Sequence, residues 1–315
     1  MIKNKKILIT GGAGFIGYHL SKKLAFDNKI TILDNLQRGK KDRYFKNLIK
    51  FKNIKFINLN LTKKIKIKKN SYDYVFLLAS IVGVKNVNDR PYSTLKVNIQ
   101  STFHTLDILN SKKTKLIYFS TSEVYSPLVI KKKNKFPIDE KNDLLILNQD
   151  SKRYAYYISK ILGEKLIKFS GNPFLILRPH NIYGPRMGHS HVIPEQIYKI
   201  KNKKKSLIYS PNHKRAFCYI DDAIEQIIYL CSSKKNFNKI FNIGNPKEPI
   251  TMMTLSRLIK NELKSSAKLL PSEITSGSIS NRVPFLKKSL YSKCKISLKK
   301  GVINTIKWYQ ENENI

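Results

Sequence analysis

A glycine-rich turn near the N-terminus constrains the fold of this chain more than any other feature. Residues 6–10 predict a strand and residues 14–26 predict a helix, and Gly11, Gly14 and Gly17 connect them at G-x-x-G-x-x-G spacing. Such a turn lets a pyrophosphate approach the N–H groups at the start of the helix. Asp34 ends the next predicted strand, at the point where an acidic side chain hydrogen-bonds the ribose hydroxyls of a dinucleotide and disfavours a 2′-phosphate. The pattern therefore predicts NAD as the cofactor, in preference to NADP.

The rest of the first half alternates short apolar segments with helical patterns. Alternation of this kind predicts βαβ units, and hence an α/β fold with a doubly wound parallel sheet of the Rossmann type. We predict an NAD-binding Rossmann domain over 1–172, to which 213–235 returns, and a smaller α/β substrate-binding domain over 173–315. We interpret 131–150, which is polar and rich in lysine, as an irregular insertion. The predicted strands cover 30–33, 54–58, 74–78, 115–120 and 174–178, and the predicted helices cover 92–110, 151–170, 250–263 and 300–310.

Composition excludes several classes of protein. The formal net charge of +39 rests mostly on lysines spread along the whole chain, whereas a nucleic-acid reader concentrates arginines and aromatic residues on one face. The most apolar segment, 74–84, is far too short to cross a bilayer, and the basic start of the chain lacks the pattern of a signal peptide. The three cysteines have no C-x-x-C spacing, which argues against a zinc site or a disulfide framework. We therefore expect a cytoplasmic protein with no metal site, no nucleic-acid partner and no membrane partner.

Two segments carry candidate catalytic groups. Tyr156 and Lys160 lie four residues apart in a predicted helix, so they share a face, and an ammonium beside a phenol favours the phenolate. Such a tyrosine can act as a base on a sugar hydroxyl, although Tyr-x-x-x-Lys alone is weak evidence in a chain rich in both residues. In the second segment, Thr121 and Glu123 follow a predicted strand, where they can hydrogen-bond a reacting oxygen and transfer a second proton. The alternative is a structural turn, in which Glu123 caps a helix or pairs with a lysine.

With these segments in place, the chain resembles the extended short-chain dehydrogenase/reductases that act as nucleotide-sugar epimerases, dehydratases and decarboxylases. The resemblance covers nearly the whole chain and rests on seven ordered blocks: 11–17, 34–39, 120–125, Tyr156 with Lys160, 178–186, 215–222 and 241–245. It departs from the family pattern at Asn60, where an aspartate is usual near the adenine, at Ser126, where a glycine is usual, and in the long insertion after residue 130.

The resemblance implies a role for each motif residue, and it implies a homodimer. Thr121, Tyr156 and Lys160 match the catalytic triad of the family, and Glu123 joins them as a catalytic candidate. The implied cofactor-binding residues are Gly11, Gly14, Phe15, Ile16, Gly17, Asp34, Asn35, Ala79 and Lys160. The implied substrate-binding residues are Ser122, Asn181, Arg215 and Arg282, of which Asn181 and the two arginines match contacts to the nucleotide diphosphate.

The leading hypothesis is an enzyme that uses bound NAD to oxidise the sugar of a nucleotide-sugar transiently at C4. Dehydration or decarboxylation follows, and the hydride then returns. We favour these reactions over 4-epimerisation because an epimerase needs no second acid or base such as Glu123. Against a dehydratase, Ser122 occupies the first position of the Asp-Glu pair that is usual in 4,6-dehydratases. A non-catalytic NAD-binding regulator and an NADP-dependent carbonyl reductase are weaker alternatives, because the triad and Asp34 are all present.

Overall fold

The computed structural model describes residues 2–64, 71–131, 137–147, 151–275 and 278–313. Its strands are β1 (Lys6–Thr10), β2 (Lys29–Asp34), β3 (Ile54–Asn58), β4 (Tyr74–Leu77), β5 (Lys115–Phe119), β6 (Phe174–Pro179), β7 (Ile182–Tyr183), β8 (Lys205–Ile208), β9 (Lys214–Arg215), β10 (Cys218–Tyr219), β11 (Lys239–Ile243), β12 (Ile250–Thr251), β13 (Lys268–Pro271) and β14 (Asn281–Arg282). Its α-helices are α1 (Phe15–Leu24), α2 (Arg43–Leu48), α3 (Val84–Asp89), α4 (Pro91–Asp107), α5 (Ser126–Ile130), α6 (Tyr154–Phe169), α7 (Val192–Asn202), α8 (Ile220–Cys231), α9 (Met252–Glu262), α10 (Lys288–Tyr291) and α11 (Leu298–Asn312). Short 3₁₀ helices cover Ser122–Tyr125 and Lys234–Asn236.

The chain divides into two compact units. Unit 1 contains Met1–Val124, Ile146–Arg178 and Ile224–Phe241, and unit 2 contains Tyr125–Leu145, Pro179–Ala223 and Asn242–Ile315. The sequence predicts one domain over 1–172, to which 213–235 returns, and a second domain over 173–315. In the structure the return lies later in the chain, because β11 adds a strand to the sheet of unit 1. Most of the insertion belongs to unit 2.

Unit 1 is built on a seven-stranded sheet in the order β11-β6-β5-β4-β1-β2-β3. The pairs from β6 to β3 are all parallel, which confirms the predicted Rossmann-type α/β fold. Strands β1 and β4 are apolar and buried almost throughout, as expected for a sheet covered on both faces. The strand order reverses between β1 and β4, and ligands of doubly wound sheets bind at this point, beyond the carboxyl ends of the strands.

The core of unit 1 is a continuous apolar cluster between the sheet and its helices. It contains Leu8, Leu33, Leu61, Val75, Leu77, Ile108, Leu116, Tyr118, Ile167 and Ile176. Helices α4 and α6 pack on each other beside it. Gly163 of α6 allows the close approach of Tyr118, because a Cβ at this position would lie 1.9 Å from the tyrosine hydroxyl.

One sequence-based expectation needs correction. In place of the single helix predicted over 92–110, α4 ends earlier, at Asp107, and a separate helix, α3, precedes it. Helix α4 starts at Pro91, which has no backbone N–H and therefore suits a first position. The described residues of the insertion over 131–150 form no helix or strand, as expected, yet Ile138 is fully buried and its backbone bonds with Val283 and Phe285. Residues 132–136 and 148–150 of that insertion lie outside the described residues.

Unit 2 contains three small sheets and the helices that cover them. The sheets are β7 with β10, β12-β9-β14, and β8 with β13, and α7 packs on α9. The described part of the chain contains no helix that is both long enough and apolar enough to cross a membrane.

Candidate active site

The glycine turn between β1 and α1 depends on close packing that a side chain would prevent. Gly11 has a φ of +73°, and a Cβ there would lie 2.8 Å from the backbone nitrogen of Ala79, which follows β4. At Gly17 a Cβ would lie 2.2 Å from the carbonyl oxygen of Gly11. The turn therefore packs against Ala79 at the point where the order of the strands reverses, between β1 and β4. The sequence predicted the cofactor at this turn.

The start of α1 is suited to a diphosphate. Gly14 is the N-cap residue and has no side chain to cap the helix, and the first turn contains no acidic residue. The N–H groups of Phe15, Ile16 and Gly17 lie in this turn, and the helix dipole favours negative charge beside them. This arrangement fits the pyrophosphate of NAD.

Asp34 lies at the carboxyl end of β2 and binds the turn directly. One carboxylate oxygen accepts the Ala13 N–H at 3.0 Å and the other accepts the Leu36 N–H at 2.8 Å. Burial raises the pKa of Asp34, while these two backbone hydrogen bonds oppose the shift. A carboxylate has acceptor capacity beyond two bonds, so Asp34 can also accept from ribose hydroxyls. Its neighbour Asn35 is exposed and accepts the Gln37 N–H.

Two of the three departures from the family pattern are single residues. The side chain of Asn60, just beyond β3, accepts hydrogen bonds from both the backbone N–H and the hydroxyl of Thr62. Ser126 is buried and begins α5.

Asn98, which sequence reasoning missed, connects the segment after β4 to α6. Its amide oxygen accepts the Ile81 N–H at 2.7 Å, and its nitrogen donates to the Ser159 hydroxyl at 3.0 Å. That hydroxyl donates in turn to the Tyr156 carbonyl. A polar residue in the middle of a predicted amphipathic helix was the only available signal, and its partners are distant in sequence.

Thr121, Ser122 and Glu123 form the turn that follows β5. Thr121 and Ser122 are buried, and the Thr121 hydroxyl accepts the Glu123 N–H at 3.2 Å. Glu123 lies in the 3₁₀ helix Ser122–Tyr125, and its carboxylate forms an ion pair with Arg153. The sequence analysis considered a lysine as the partner of this carboxylate and did not identify Arg153.

Tyr156 differs from the tyrosines on either side of it. Tyr154 and Tyr157 are buried, and their rings pack edge to face with their centroids 5.1 Å apart, whereas Tyr156 is partly exposed. Burial also raises the pKa of Tyr157, which makes it a weaker candidate base. Tyr156 is therefore the best placed of the three to reach a substrate.

Lys160 lies one turn after Tyr156 on α6 and is buried. Its ammonium donates to the carbonyl oxygen of Phe119 at 2.8 Å and lies 6.0 Å from the centre of the Tyr156 ring. Burial lowers the pKa of Lys160 from 10.5 to about 7, while the charge of Glu164 opposes this shift. In the absence of ligands, the lysine is therefore close to its titration midpoint at neutral pH.

A buried ion pair beneath these residues was also missed. Glu164 accepts hydrogen bonds from Arg178 at 2.9 and 2.7 Å and from the Ser120 hydroxyl at 2.6 Å. It joins α6, β6 and the end of β5, next to Thr121. The signal was present in the sequence, because Glu164 continues the four-residue spacing of Tyr156 and Lys160.

Unit 2 brings together the three residues predicted to contact a diphosphate. Arg215 on β9 and Arg282 on β14 are direct partners in a parallel strand pair, and both are largely buried. Asn181, with a φ of +43°, donates to the carbonyl oxygen of Ala216, the residue after Arg215. Two arginines at directly paired positions make this part of unit 2 a candidate anion site.

No group of three or more His, Cys, Asp or Glu side chains is arranged to hold a metal ion within the described residues. The three cysteines are all free and buried.

The chain is similar to known proteins over nearly its whole length. A model of the NAD dependent epimerase/dehydratase family matches residues 7–244. The chain is 34% identical to the UDP-N-acetyl-alpha-D-glucosaminuronate decarboxylase of Bacillus cytotoxicus, over 98% of this chain and 99% of that protein. It is 30% identical to a putative UDP-glucose 4-epimerase of Methanocaldococcus jannaschii, over 97% and 99% of the two chains. Among solved structures, a UDP-N-acetylglucosamine 4-epimerase from Methanobrevibacter ruminantium, in complex with UDP-N-acetylmuramic acid, matches 98% of this chain and 99% of its own with a TM-score of 0.81 and 25% identity.

Proposed function

Because the chain belongs to the NAD dependent epimerase/dehydratase family, we propose that it decarboxylates a UDP-hexuronic acid after oxidation of the sugar at C4. The family match and the relatives confirm the class expected from the sequence, an NAD-dependent enzyme that modifies nucleotide-sugars. NAD is therefore the cofactor, and when bound it accepts a hydride from the sugar and later returns it.

The position of Glu123 is the main observation that favours decarboxylation over 4-epimerisation. Its carboxylate lies two residues after Thr121 and is paired with Arg153, three residues before Tyr156. A 4-epimerase needs one acid–base group at the oxygen on C4, whereas a decarboxylase also needs control of a proton at C5. The Thr121-Ser122-Glu123 triplet and the named activity of the Bacillus cytotoxicus relative both favour decarboxylation.

Each residue has a defined task in this proposal. Tyr156 accepts the proton of the C4 hydroxyl, and Lys160, buried one turn away, stabilises the phenolate. The bond between C5 and the carboxylate then breaks, CO₂ leaves, and the electron pair is delocalised onto the oxygen at C4, to which Thr121 and Tyr156 donate hydrogen bonds. C5 takes a proton from a water that Glu123 orients, and the hydroxide left behind takes a proton from solvent. Tyr156 finally returns its proton to the oxygen at C4.

We assign the nucleotide diphosphate to Arg215, Arg282 and Asn181. An arginine fork donates two parallel hydrogen bonds to phosphate oxygens, and this chain contains only nine arginines among its 60 basic residues. Ser122 is the proposed contact to the sugar.

The test is a panel of UDP-hexuronic acids, UDP-hexoses and a dTDP-hexose, with CO₂ release and product identity measured for each. We expect CO₂ and a UDP-pentose or its amino analogue from one of the uronic acids. Glu123→Gln should still reduce bound NAD when substrate is added, yet form product at least about a hundredfold more slowly than wild type. If Glu123→Gln turns over normally and the product is a C4 epimer, the enzyme is a 4-epimerase and the proposal is wrong.

We also propose that the enzyme is a cytoplasmic homodimer. Apolar side chains that support a dimer are exposed on the two packed helices of unit 1, namely Phe103 on α4 and Leu162 and Phe169 on α6. Light scattering on the purified protein should give twice the chain mass of 36.5 kDa, and a monomer would contradict the proposal. Cell fractionation tests the location.

A further inference from the structure

The ion pair between Glu123 and Arg153 is one of two largely buried pairs on α6. One guanidinium nitrogen, Nη2, lies 3.2 Å from Oε1 and 3.3 Å from Oε2 of Glu123. The two side chains are only 17% and 13% exposed, so water screens the pair much less than it screens a surface pair. The contact spans thirty residues of sequence, and it therefore fixes the turn after β5 against the start of α6.

The location of Arg153 is unfavourable for a cation unless it has a specific partner. Arg153 is the N-cap residue of α6, and the positive end of a helix dipole disfavours a positive charge there. Its side chain makes no cap hydrogen bond to the helix. The carboxylate of Glu123 compensates both the guanidinium and the helix end.

Arg153 also contacts the segment that carries the proposed base. Its carbonyl oxygen accepts the Tyr156 N–H at 3.3 Å in the first turn of α6. A single residue therefore holds the backbone of Tyr156 and the carboxylate of Glu123 at the same time. A lysine would supply the charge on a compact, more strongly hydrated ammonium at the end of a flexible chain, and would therefore hold the carboxylate less firmly than the guanidinium does.

We infer that Arg153 is a positioning residue that holds the Glu123 carboxylate in the orientation required for the proton transfer at C5. The inference rests on the proposed function and extends it to a residue outside the triad. Arg153 acts through Glu123, so its loss affects the steps after oxidation at C4 and leaves oxidation itself intact.

The test compares Arg153→Gln and Arg153→Lys with a matched control, Lys152→Gln, which removes an exposed positive charge one residue away. All measurements use the NAD-loaded full chain with the uronic acid that the wild type decarboxylates. We expect Arg153→Gln to retain NAD and to reduce it on substrate addition at a rate within about threefold of wild type. Its turnover should fall by about a hundredfold, as a misplacement of about 1 Å can cause, with KM changed little. Arg153→Lys should recover part of this loss, and Lys152→Gln should match wild type.

A double variant, Arg153→Gln with Glu123→Gln, separates positioning from a general structural effect. If Arg153 acts through Glu123, the double variant is no slower than Glu123→Gln alone, because the interaction is already lost. If Arg153→Gln alone does not fold, Arg153→Lys, which keeps the positive charge, takes its place in this comparison, both alone and combined with Glu123→Gln. Additive losses, or a turnover of Arg153→Gln equal to that of Lys152→Gln, would overturn the inference.

These outcomes differ from failure of the proposed function. If the wild type releases no CO₂ from any uronic acid and epimerises a UDP-sugar, the proposed function is wrong and the inference fails with it. If the wild type releases CO₂ but the losses are additive, only the positioning role is wrong.

Discussion

Tyr156 is partly exposed, whereas the neighbouring Tyr154 and Tyr157 are buried. Substitutions at Tyr156 and at a buried tyrosine therefore test which hydroxyl group acts on the substrate. We predict that Tyr156→Phe lowers turnover by at least about a hundredfold, because it removes the phenolic oxygen that, in our proposal, takes the proton from the sugar as a phenolate. NAD binding should survive. Tyr157→Phe is the control, since its buried hydroxyl contacts only the Leu147 N–H among the contacts resolved for it, and it should retain activity within a few-fold. Steady-state kinetics and cofactor content measure both variants, and the opposite ranking would identify Tyr157 as the base.

Lys160 gives the stability of the ligand-free protein a specific pH dependence. The pKa is 10.5 for an ordinary lysine and about 7 for the buried one. Below pH 7 both the folded and unfolded chains carry the charge, and its burial destabilises the fold fully. Between about pH 7 and 10.5 only the unfolded chain holds the proton, so the contribution of Lys160 to stability rises with pH. Melting temperatures of wild type and Lys160→Met, compared across this window, should converge as the pH increases, and a constant difference would contradict the shift.

The first element-scale prediction concerns the packing of α1 on β1. Alanine is normally favoured over glycine inside a helix, yet at Gly17 its Cβ would overlap the Gly11 carbonyl. We predict that Gly17→Ala lowers the melting temperature and weakens NAD binding by more than about tenfold, because the helix start must move. In Gly188→Ala the new Cβ meets no heavy atom within 4 Å, so this variant should match wild type. Calorimetry measures the affinity of each variant for NAD. If Gly17→Ala bound NAD as tightly as wild type, the turn would accommodate the added Cβ and the prediction would be wrong.

The buried Glu164–Arg178 pair joins α6 to β6 and supports the end of β5. We predict that Glu164→Gln destabilises the protein by about 3 to 5 kcal/mol, because Arg178 keeps its charge in an apolar interior. The double variant Glu164→Leu with Arg178→Met should lose less stability than Glu164→Gln, because it leaves no buried charge without its partner. Glu195→Gln on α7 breaks a more exposed pair and should cost less than about 1 kcal/mol. Denaturant unfolding measures all four proteins, and equal effects at the buried and exposed pairs would refute the argument.

At the scale of the whole molecule, the proposed ligands belong to different units. The turn proposed to bind NAD lies in unit 1, and Arg215 lies in unit 2. We therefore predict that Arg215→Ala weakens the binding of UDP by at least about tenfold, the loss of a charge-assisted hydrogen bond, while NAD binding stays within twofold. Arg257→Ala removes an exposed arginine of α9 and serves as the control. Calorimetry with UDP and with NAD separates the two effects, and unchanged UDP affinity would exclude Arg215 as a diphosphate contact.

Features that depend on neighbouring residues could be predicted from the sequence. The glycine turn requires three glycines within seven residues, and the face shared by Tyr156 and Lys160 follows from the helical repeat. The alternation of apolar segments and helices was enough to predict the Rossmann sheet, because parallel strands require helical crossovers.

Features that depend on contacts between distant segments were decided only by the tertiary structure. The Glu123 carboxylate has many cations to choose from in a chain of charge +39, and only the approach of the β5 turn to α6 selects Arg153. In the same way, β11 has no distinguishing feature in the sequence. Only its pairing with β6 in the sheet places this segment in unit 1 and sets the boundary between the two units. Local sequence thus determined the glycine turn and the helix face that Tyr156 and Lys160 share. The partners of the charged groups depend on which segments meet in space, and no spacing along the chain specifies that.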